Sequence, residues 1–374
     1  MMTKIRPSQS SALPRRSLLQ LGALAACLPL TKRLASGQEA TPVDQLYVDD
    51  ELDQAVQRAT AFLLKNRQST GAISGNRHQV ALSSLAIMAL ASVGNEPGDK
   101  TPEGEAMSAA IDYVLEPRRQ SKTGYLGQTD GSRMYGHGIT TLMLTEMLGM
   151  GATVKQNQRI HECLAAAIRL ILSSQAVRKQ SKLQGGWRYA PDSNDSDLSV
   201  SIWQLMALRS AKNDGLDVPG EAIDDALQYL RNSYTGRPGN APGEHAGFSY
   251  TPGQPRPTFT MTAAGLLAMQ VCGQYEAPEV KAAAQWLLDH PPKRDEHYLM
   301  YGLYYYSQGM YQVGGKFAKE SREITSSMLL PTQQRDGSWQ APGGEEKNIG
   351  PVYSTALAML SLSVRYHYLP IYQR

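Results

Sequence analysis

Two aspartates, Asp195 and Asp197, lie in residues 184–204, QGGWRYAPDSNDSDLSVSIWQ. A glycine pair meets a tryptophan there, and an acidic loop runs into an apolar, helix-like segment. Paired carboxylates can do acid chemistry when burial and a like-charged neighbour keep one of them protonated. In that reading Asp197 is the proton donor and Asp195 raises its pKa. The same residues also spell a capped turn. Pro191 breaks the chain, residues 192–195 turn, and Asp197 or Ser199 caps the following helix. The two readings have opposite pH signs. A buried neutral acid favours folding at low pH. A cap carboxylate is instead stabilised as the anion by the helix N-terminus.

A second concentration of chemistry lies further on, where Tyr298, Tyr301, Tyr304, Tyr305, Tyr306 and Tyr311 crowd one segment. Tyr298, Tyr301 and Tyr305 follow i, i+3, i+7 spacing and fall on one helical face. Such a stripe either packs in a core or lines a mouth that binds sugars, apolar ligands or, by cation–π attraction, carbocations. Trp203 and Phe259 are further aromatic candidates for ligand contact.

These residues must be positioned by a repeat. From about residue 50 an amphipathic helix pattern, a Gly-rich loop and a more apolar helix pattern recur six times. LDQAVQRATAFLLKNRQ is followed by VALSSLAIMALASVG, and ECLAAAIRLILSSQ by LSVSIWQLMALRSA. The first helix of each unit carries one apolar stripe (Val56, Ala59, Phe62 and Leu63 in the first). The second is apolar on nearly all sides, which implies burial from two directions. No polar capping repeats of a solenoid are evident. The pattern predicts an all-α fold, an (α/α)6 toroid of six helical hairpins with inner and outer rings, over residues 50–374.

Gln184–Trp187 and Gln334–Trp339 resemble the Gln-to-Gly-to-Trp "QW" repeats of squalene and hopene cyclases, whose toroid is shared by protein prenyltransferase β subunits. The resemblance implies that Trp187 and Trp339 are structural, packed over a turn that a glutamine caps. The cyclases protonate an alkene with the middle acid of Asp-x-Asp-Asp. Asp195 and Asp197 match the first two acids, and Leu198 replaces the third. An enzyme of this kind would be terpenoid cyclase- or isomerase-like, with Asp197 as donor. In the prenyltransferases a zinc ion is bound by Asp, Cys and His. Asp197 matches the first ligand, but Ser199 and Met261 stand at the other two. A hydroxyl and a thioether are poor zinc ligands, so neither zinc nor another cofactor is expected. His137, in YGHGITT, matches a diphosphate-binding histidine. Val271-Cys272-Gly273-Gln274 lacks the glutamate of a thioester motif. Three functions stay open: a toroid that binds or modifies an isoprenoid-like or other apolar ligand in a central cavity, a noncatalytic binding or scaffold toroid, and a carbohydrate-active toroid.

The chain has 374 residues, 41% apolar and 19% charged, with a formal charge of +3. Lys4, Arg6, Arg15, Arg16, Lys32 and Arg33 fall in residues 1–37, which hold no acid; setting these six aside leaves 31 basic against 34 acidic groups. No basic run with interleaved aromatics remains, so nucleic acid is not an expected partner. PRRSLLQLGALAACLPL pairs Arg15-Arg16 with an apolar stretch too short to span a membrane. It resembles a twin-arginine (Tat) export signal. Residues 1–37 are thus expected to be a removed signal, residues 38–49 a linker, and the domain to be exported. Leu24-Ala25-Ala26-Cys27 resembles a lipobox, and a lipid on Cys27 would be the one membrane attachment. Cys163 and Cys272 read as free thiols inside helices. Oligomeric state is open.

Overall fold

The computed structural model describes residues 50–236, 246–366 and 368–373. The Arg15-Arg16 leader, Cys27 and the 38–49 linker lie outside these residues. Thirteen α-helices are described: α1 (Glu51–Lys65), α2 (Gln79–Ala91), α3 (Pro102–Val114), α4 (Arg133–Glu146), α5 (Val154–Gln175), α6 (Leu198–Asn213), α7 (Gly220–Ser233), α8 (Phe259–Val271), α9 (Pro278–Asp289), α10 (Leu299–Val313), α11 (Gly315–Leu329), the short α12 (Gly344–Ile349) and α13 (Pro351–Leu362). Among the described residues the only β pairings are isolated bridges.

Local chemistry accounts for most helix starts. Asp50 and Asp53 form a reciprocal capping box on α1. Thr101, Thr153 and Thr258 cap α3, α5 and α8 through their hydroxyls. Burial then sorts the helices into layers. In α1 only the stripe Leu52, Ala55, Val56, Ala59, Phe62 and Leu63 is buried. In α2 every residue from Val80 to Ala91 is buried. The fully apolar helices α2, α4, α6, α8, α10 and α13 pack in that order, and α13 returns to α2. This closed inner ring is surrounded by α1, α3, α5, α7, α9 and α11.

The hairpins are phased differently from the sequence reading. The sequence pairs each outer helix with the inner helix that follows it. In the structure each inner helix packs more extensively on the outer helix after it, and α13 packs on α1. Connection length explains the phase. Inner-to-outer connections are short (92–101, 147–153, 214–219, 272–277 and the single Gly314). Outer-to-inner connections are the loops 66–78, 115–132, 176–197, 234–258, 290–298 and 330–350, all but 290–298 longer than any inner-to-outer one. Since each of these loops enters an inner helix at its N-terminus, the described parts of all six lie on one face of the ring, here called the mouth. Function in toroid-like scaffolds is expected on loops held by rigid elements.

Trp187 and Trp339 lock two of those loops. The Trp187 indole N–H donates to Ile171 O at 2.9 Å and that of Trp339 to Leu329 O at 2.8 Å, both at outer-helix ends. Gln184 donates to Gln175 O at 3.2 Å, over the last residue of α5. In the second loop Gln333 does similar work, donating to Ala55 O and Gly337 O. Cys163 and Cys272 are free. No described helix is long and apolar enough to cross a membrane.

Candidate functional site

The N-terminus of α6 is the most chemically loaded point of the mouth. Gly185 has φ +88, and a Cβ there would meet Asp225 O at 2.2 Å. Only glycine fits that close approach. The chain then returns antiparallel, with Asp197 N–H donating to Trp187 O at 3.0 Å. Ser201 fastens the turn, accepting from Trp187 N–H at 2.8 Å and donating to Asp197 O at 2.6 Å. Asp197 is the N-cap: its Oδ1 accepts from Val200 N–H at 2.8 Å. The cap reading of the loop is therefore correct in geometry.

The electrostatics match the other reading. Asp197 is fully buried. Burial pushes its carboxyl up to about 6, against the pull of the Val200 N–H and the Arg188 guanidinium. Its Oδ2 makes no hydrogen bond of good geometry among the described residues; it lies 3.4 Å from Arg188 Nη1, and the nearby Tyr250 hydroxyl also pulls the pKa down. Cap geometry and a raised pKa coexist because only one oxygen serves the helix. Asp195 is half exposed and sits on the other side of the cation, 3.5 Å from Arg188 Nε. Its charge is the smallest of the main influences on Asp197.

Arg188 stands over the Tyr189 ring at 4.6 Å and near the Tyr250 ring at 5.6 Å. The two tyrosine hydroxyls pair at 2.6 Å. Tyr135 is close by, 6.0 Å from Tyr189 between ring centres, and donates to Ser199 Oγ at 2.9 Å. Tyr135, Tyr189 and Tyr250 are all partly exposed. Sequence reasoning missed this group. Arg188 was legible as the cation beside the acids in Trp187-Arg188-Tyr189. Tyr250, from a loop, and Tyr135, from the first turn of α4, lie more than 50 residues away and left no local signal.

The other sequence-predicted residues lie inside the ring or at its rim. Trp203 stacks on Tyr304 at 5.7 Å with 7° between planes, and touches Tyr301 and Tyr305 at 6.2 and 5.8 Å. Helices α6 and α10 are separated in the ring by α8, so this stack crosses the interior. Ser199 donates to Tyr301 Oη at 3.2 Å, and Tyr305 donates to the same oxygen at 3.2 Å. Trp203, Tyr301, Tyr304 and Tyr305 are all buried. The central cavity expected from sequence is thus occupied by side chains, each contributing about 2–3 kcal/mol by burial. Phe259 packs against Tyr306 at 5.4 Å and is buried.

Tyr298 does not share the face of Tyr301 and Tyr305. It precedes α10 in the left-handed region, φ +61, and its hydroxyl turns to Glu345 at 3.0 Å. His137 is buried, with Nδ1 accepting from Leu126 N–H at 3.2 Å and Nε2 3.2 Å from Ala167 O. That acceptor role at Nδ1 makes Nε2 the donor, so both nitrogens are engaged. Burial lowers its pKa to about 4. Among the described residues no group of three His, Cys, Asp or Glu could hold a metal ion.

No family model and no curated protein matches the chain. Solved structures do. The type II terpene cyclase MstE from Scytonema aligns over 84% of this chain and 97% of its own at 17% identity, with a TM-score of 0.52. The GH76A α-1,6-mannanase from a Salegentibacter species aligns over 85% of this chain and all of its own at 8% identity and a TM-score of 0.59. A protein from Actinoplanes aligns over 85% of this chain and all of its own at 17% identity and a TM-score of 0.52. At such identities the likeness is one of fold: the chain is an α/α toroid.

Proposed function

We propose that this chain is a binding toroid whose working surface is the tyrosine-rich mouth around Arg188, and that its ligand is neutral and polyhydroxylated, as an oligosaccharide is. The observation that carries the reading is the filled interior beside a partly open mouth. The Trp203–Tyr304 stack occupies the axis, while Tyr135, Tyr189 and Tyr250 keep ring surface exposed. Arg188 is flanked by Asp195 and Asp197, so the mouth offers donors and acceptors with no net positive charge and at most one net negative charge. Tyrosine rings packed on the core with one part of their surface open suit the C–H faces of sugar rings, and the charged groups suit hydroxyls.

A variant of the Scytonema cyclase has been solved with geranylgeranyl dihydroxybenzoate. A prenyl ligand of that size needs a cavity of roughly 300 Å³ or more. The small, partly open hollow at the opposite end of this ring has room for only about 10 Å³. An isoprenoid would have to displace the aromatic stack. The mannanase has been solved as an inactive variant with two adjacent aspartates replaced. The adjacent pair of the described toroid, Asp224-Asp225, lies exposed on the outer helix α7. That argues for binding over glycoside cleavage. A second reading, acid catalysis by Asp197, is favoured by one observation, the buried Oδ2 without a hydrogen bond of good geometry. Export through the Arg15-Arg16 leader belongs to the same proposal and would place the mouth outside the cytoplasm.

Calorimetric titration with neutral oligosaccharides and, separately, with geranylgeraniol tests the reading. Oligosaccharide binding that falls at least about tenfold in a Tyr189→Ala, Tyr250→Ala double variant is expected; tenfold corresponds to about 1.4 kcal/mol. Geranylgeraniol binding with no oligosaccharide binding would return the function to the interior.

A further inference from the structure

The segment after α13 enters the ring from the face opposite the mouth. It follows the sixth inner helix, and the ring closes through α13 and α2 without it. Its root is fixed outside, where Arg365 pairs with Asp50 at 2.7 Å and with Asp53. Tyr368 is more than half exposed, and the chain then turns inward so that Leu369, Ile371 and Tyr372 are buried. Two polar contacts seat it. Ile371 N–H donates to Glu146 Oε2 at 3.2 Å, and the Tyr372 hydroxyl pairs with that of Tyr304, the ring stacked on Trp203. Glu146 is itself buried and also accepts from Ser210 Oγ at 2.7 Å.

This packing differs from that of a helix in the ring. The segment contributes only two short 3-10 stretches, Ser363–Tyr366 at its root and Pro370–Tyr372 at its buried end. The small hollow of about 10 Å³ lies against it, lined by Ser92, Gln308, Ser363 and Tyr372 among others. Apolar residues are therefore seated among polar ones, and the fit is incomplete. A segment with so few backbone hydrogen bonds to its host is the kind that opens without global unfolding.

We propose that the seat of Ile371 and Tyr372 is a binding site for a small phenolic molecule, kept closed by the chain's own segment. Vacated, it presents the Tyr304 hydroxyl to pair with a phenol, the Trp203–Tyr304 stack as an apolar floor, and the Glu146 carboxylate to accept from an N–H or O–H on the ligand. The site is separate from the mouth and does not depend on the function proposed for it.

Two measurements on the folded protein test this. In native-state hydrogen exchange of the full chain, the Ile371 amide should exchange at least about 100-fold faster than amides in the middle of α6 and α10, because the segment leaves while the ring stays folded. A chain ending at Tyr368 should still unfold cooperatively and bind 4-ethylphenol, with a fluorescence change that Trp203→Phe removes. The full chain should bind the same probe at least about tenfold more weakly. Exchange of Ile371 only through global unfolding would overturn the proposal, as would loss of the fold on shortening, no binding by the shortened chain, or equal binding by both chains.

Discussion

Two buried carboxylates stand at inner-helix N-termini on the mouth, and they are used differently. Glu346, on α12, caps α10 from outside. Its Oε2 accepts from Met300 N–H at 3.1 Å, and its Oε1 from Tyr301 N–H at 2.9 Å and the Tyr353 hydroxyl at 3.2 Å. Asp197 caps its own helix with one oxygen, while the other faces the Arg188 guanidinium at 3.4 Å and the carboxyl also feels the Tyr250 hydroxyl. Burial raises the pKa of both. Asp130 follows the Glu346 pattern at α2, where Oδ2 accepts from Val80 and Ala81 N–H and Oδ1 from Ser132. The helices capped from outside both begin after a left-handed residue, His78 at φ 51 and Tyr298 at φ 61, which has no side-chain cap to offer. Burial alone therefore does not mark a reactive acid. A carboxylate whose oxygens are all engaged holds structure, and one with a spare oxygen is free to meet a ligand.

The largest effect expected from this contrast is at Glu346. Glu346→Ala leaves two helix N–H groups and the Tyr353 hydroxyl unpaired and should cost about 3 kcal/mol. Asp197→Ala loses one cap bond and should cost about 1 kcal/mol. Denaturant unfolding followed by tryptophan fluorescence measures both, and equal costs would erase the distinction.

Next in size is the pH dependence at Asp197. The groups facing it are Arg188, Asp195, Tyr250, Tyr135 and Tyr229. Burial holds its folded pKa at about 6, above the ordinary aspartate value of 3.8. Its proton therefore contributes stability that is fully present below pH 4 and lost as pH rises through 6. Asp197→Asn keeps the cap and never ionises. Relative to wild type it should gain about 2 kcal/mol between pH 4 and pH 8. A wild-type advantage that grows with pH would make Asp197 an ordinary cap, like the bland reading of its sequence.

Smaller still is the effect of the cation. Arg188→Gln removes a charge that favours the Asp197 anion, so the carboxyl should titrate higher than in wild type. Carbon-detected NMR of the Asp197 carboxyl would reveal it, and an unchanged midpoint would detach Arg188 from the site. The smallest effect is at Asp195. It is half exposed, and Asp195→Asn should change stability by no more than about 0.5 kcal/mol. A large loss would mean that the pair acts as a unit.

The stretch 184–204 shows how far sequence reasoning reached. Asp197 was legible as a cap, because N-cap chemistry is settled within three residues. Trp187 was legible as a structural ring over a turn. The tyrosine stripe was half legible. Helical spacing put Tyr301 and Tyr305 on one face, but the left-handed turn at Tyr298 broke the register by one residue at the helix start. Arg188 was in view as a residue and not as a partner, since nothing local says which acid a side chain will reach.

Read along the chain, the residues already carry the all-α class, the six-fold alternation of amphipathic helices with helices apolar on nearly all sides, and the Asp197 cap of α6. Each depends on interactions within one or two helical turns, and these survive in any tertiary setting. Only the tertiary structure decided what fills the ring and which carboxyl is free. Trp203 meets Tyr304 across the ring, more than 100 residues away, because six helices close at a radius their side chains can span. The Asp197 carboxyl is pushed up to about 6 because the packed surroundings remove water from it, and this outweighs the pull of Val200 N–H, Arg188 and Tyr250. Desolvation belongs to the assembled ring, and no segment of the chain carries it alone.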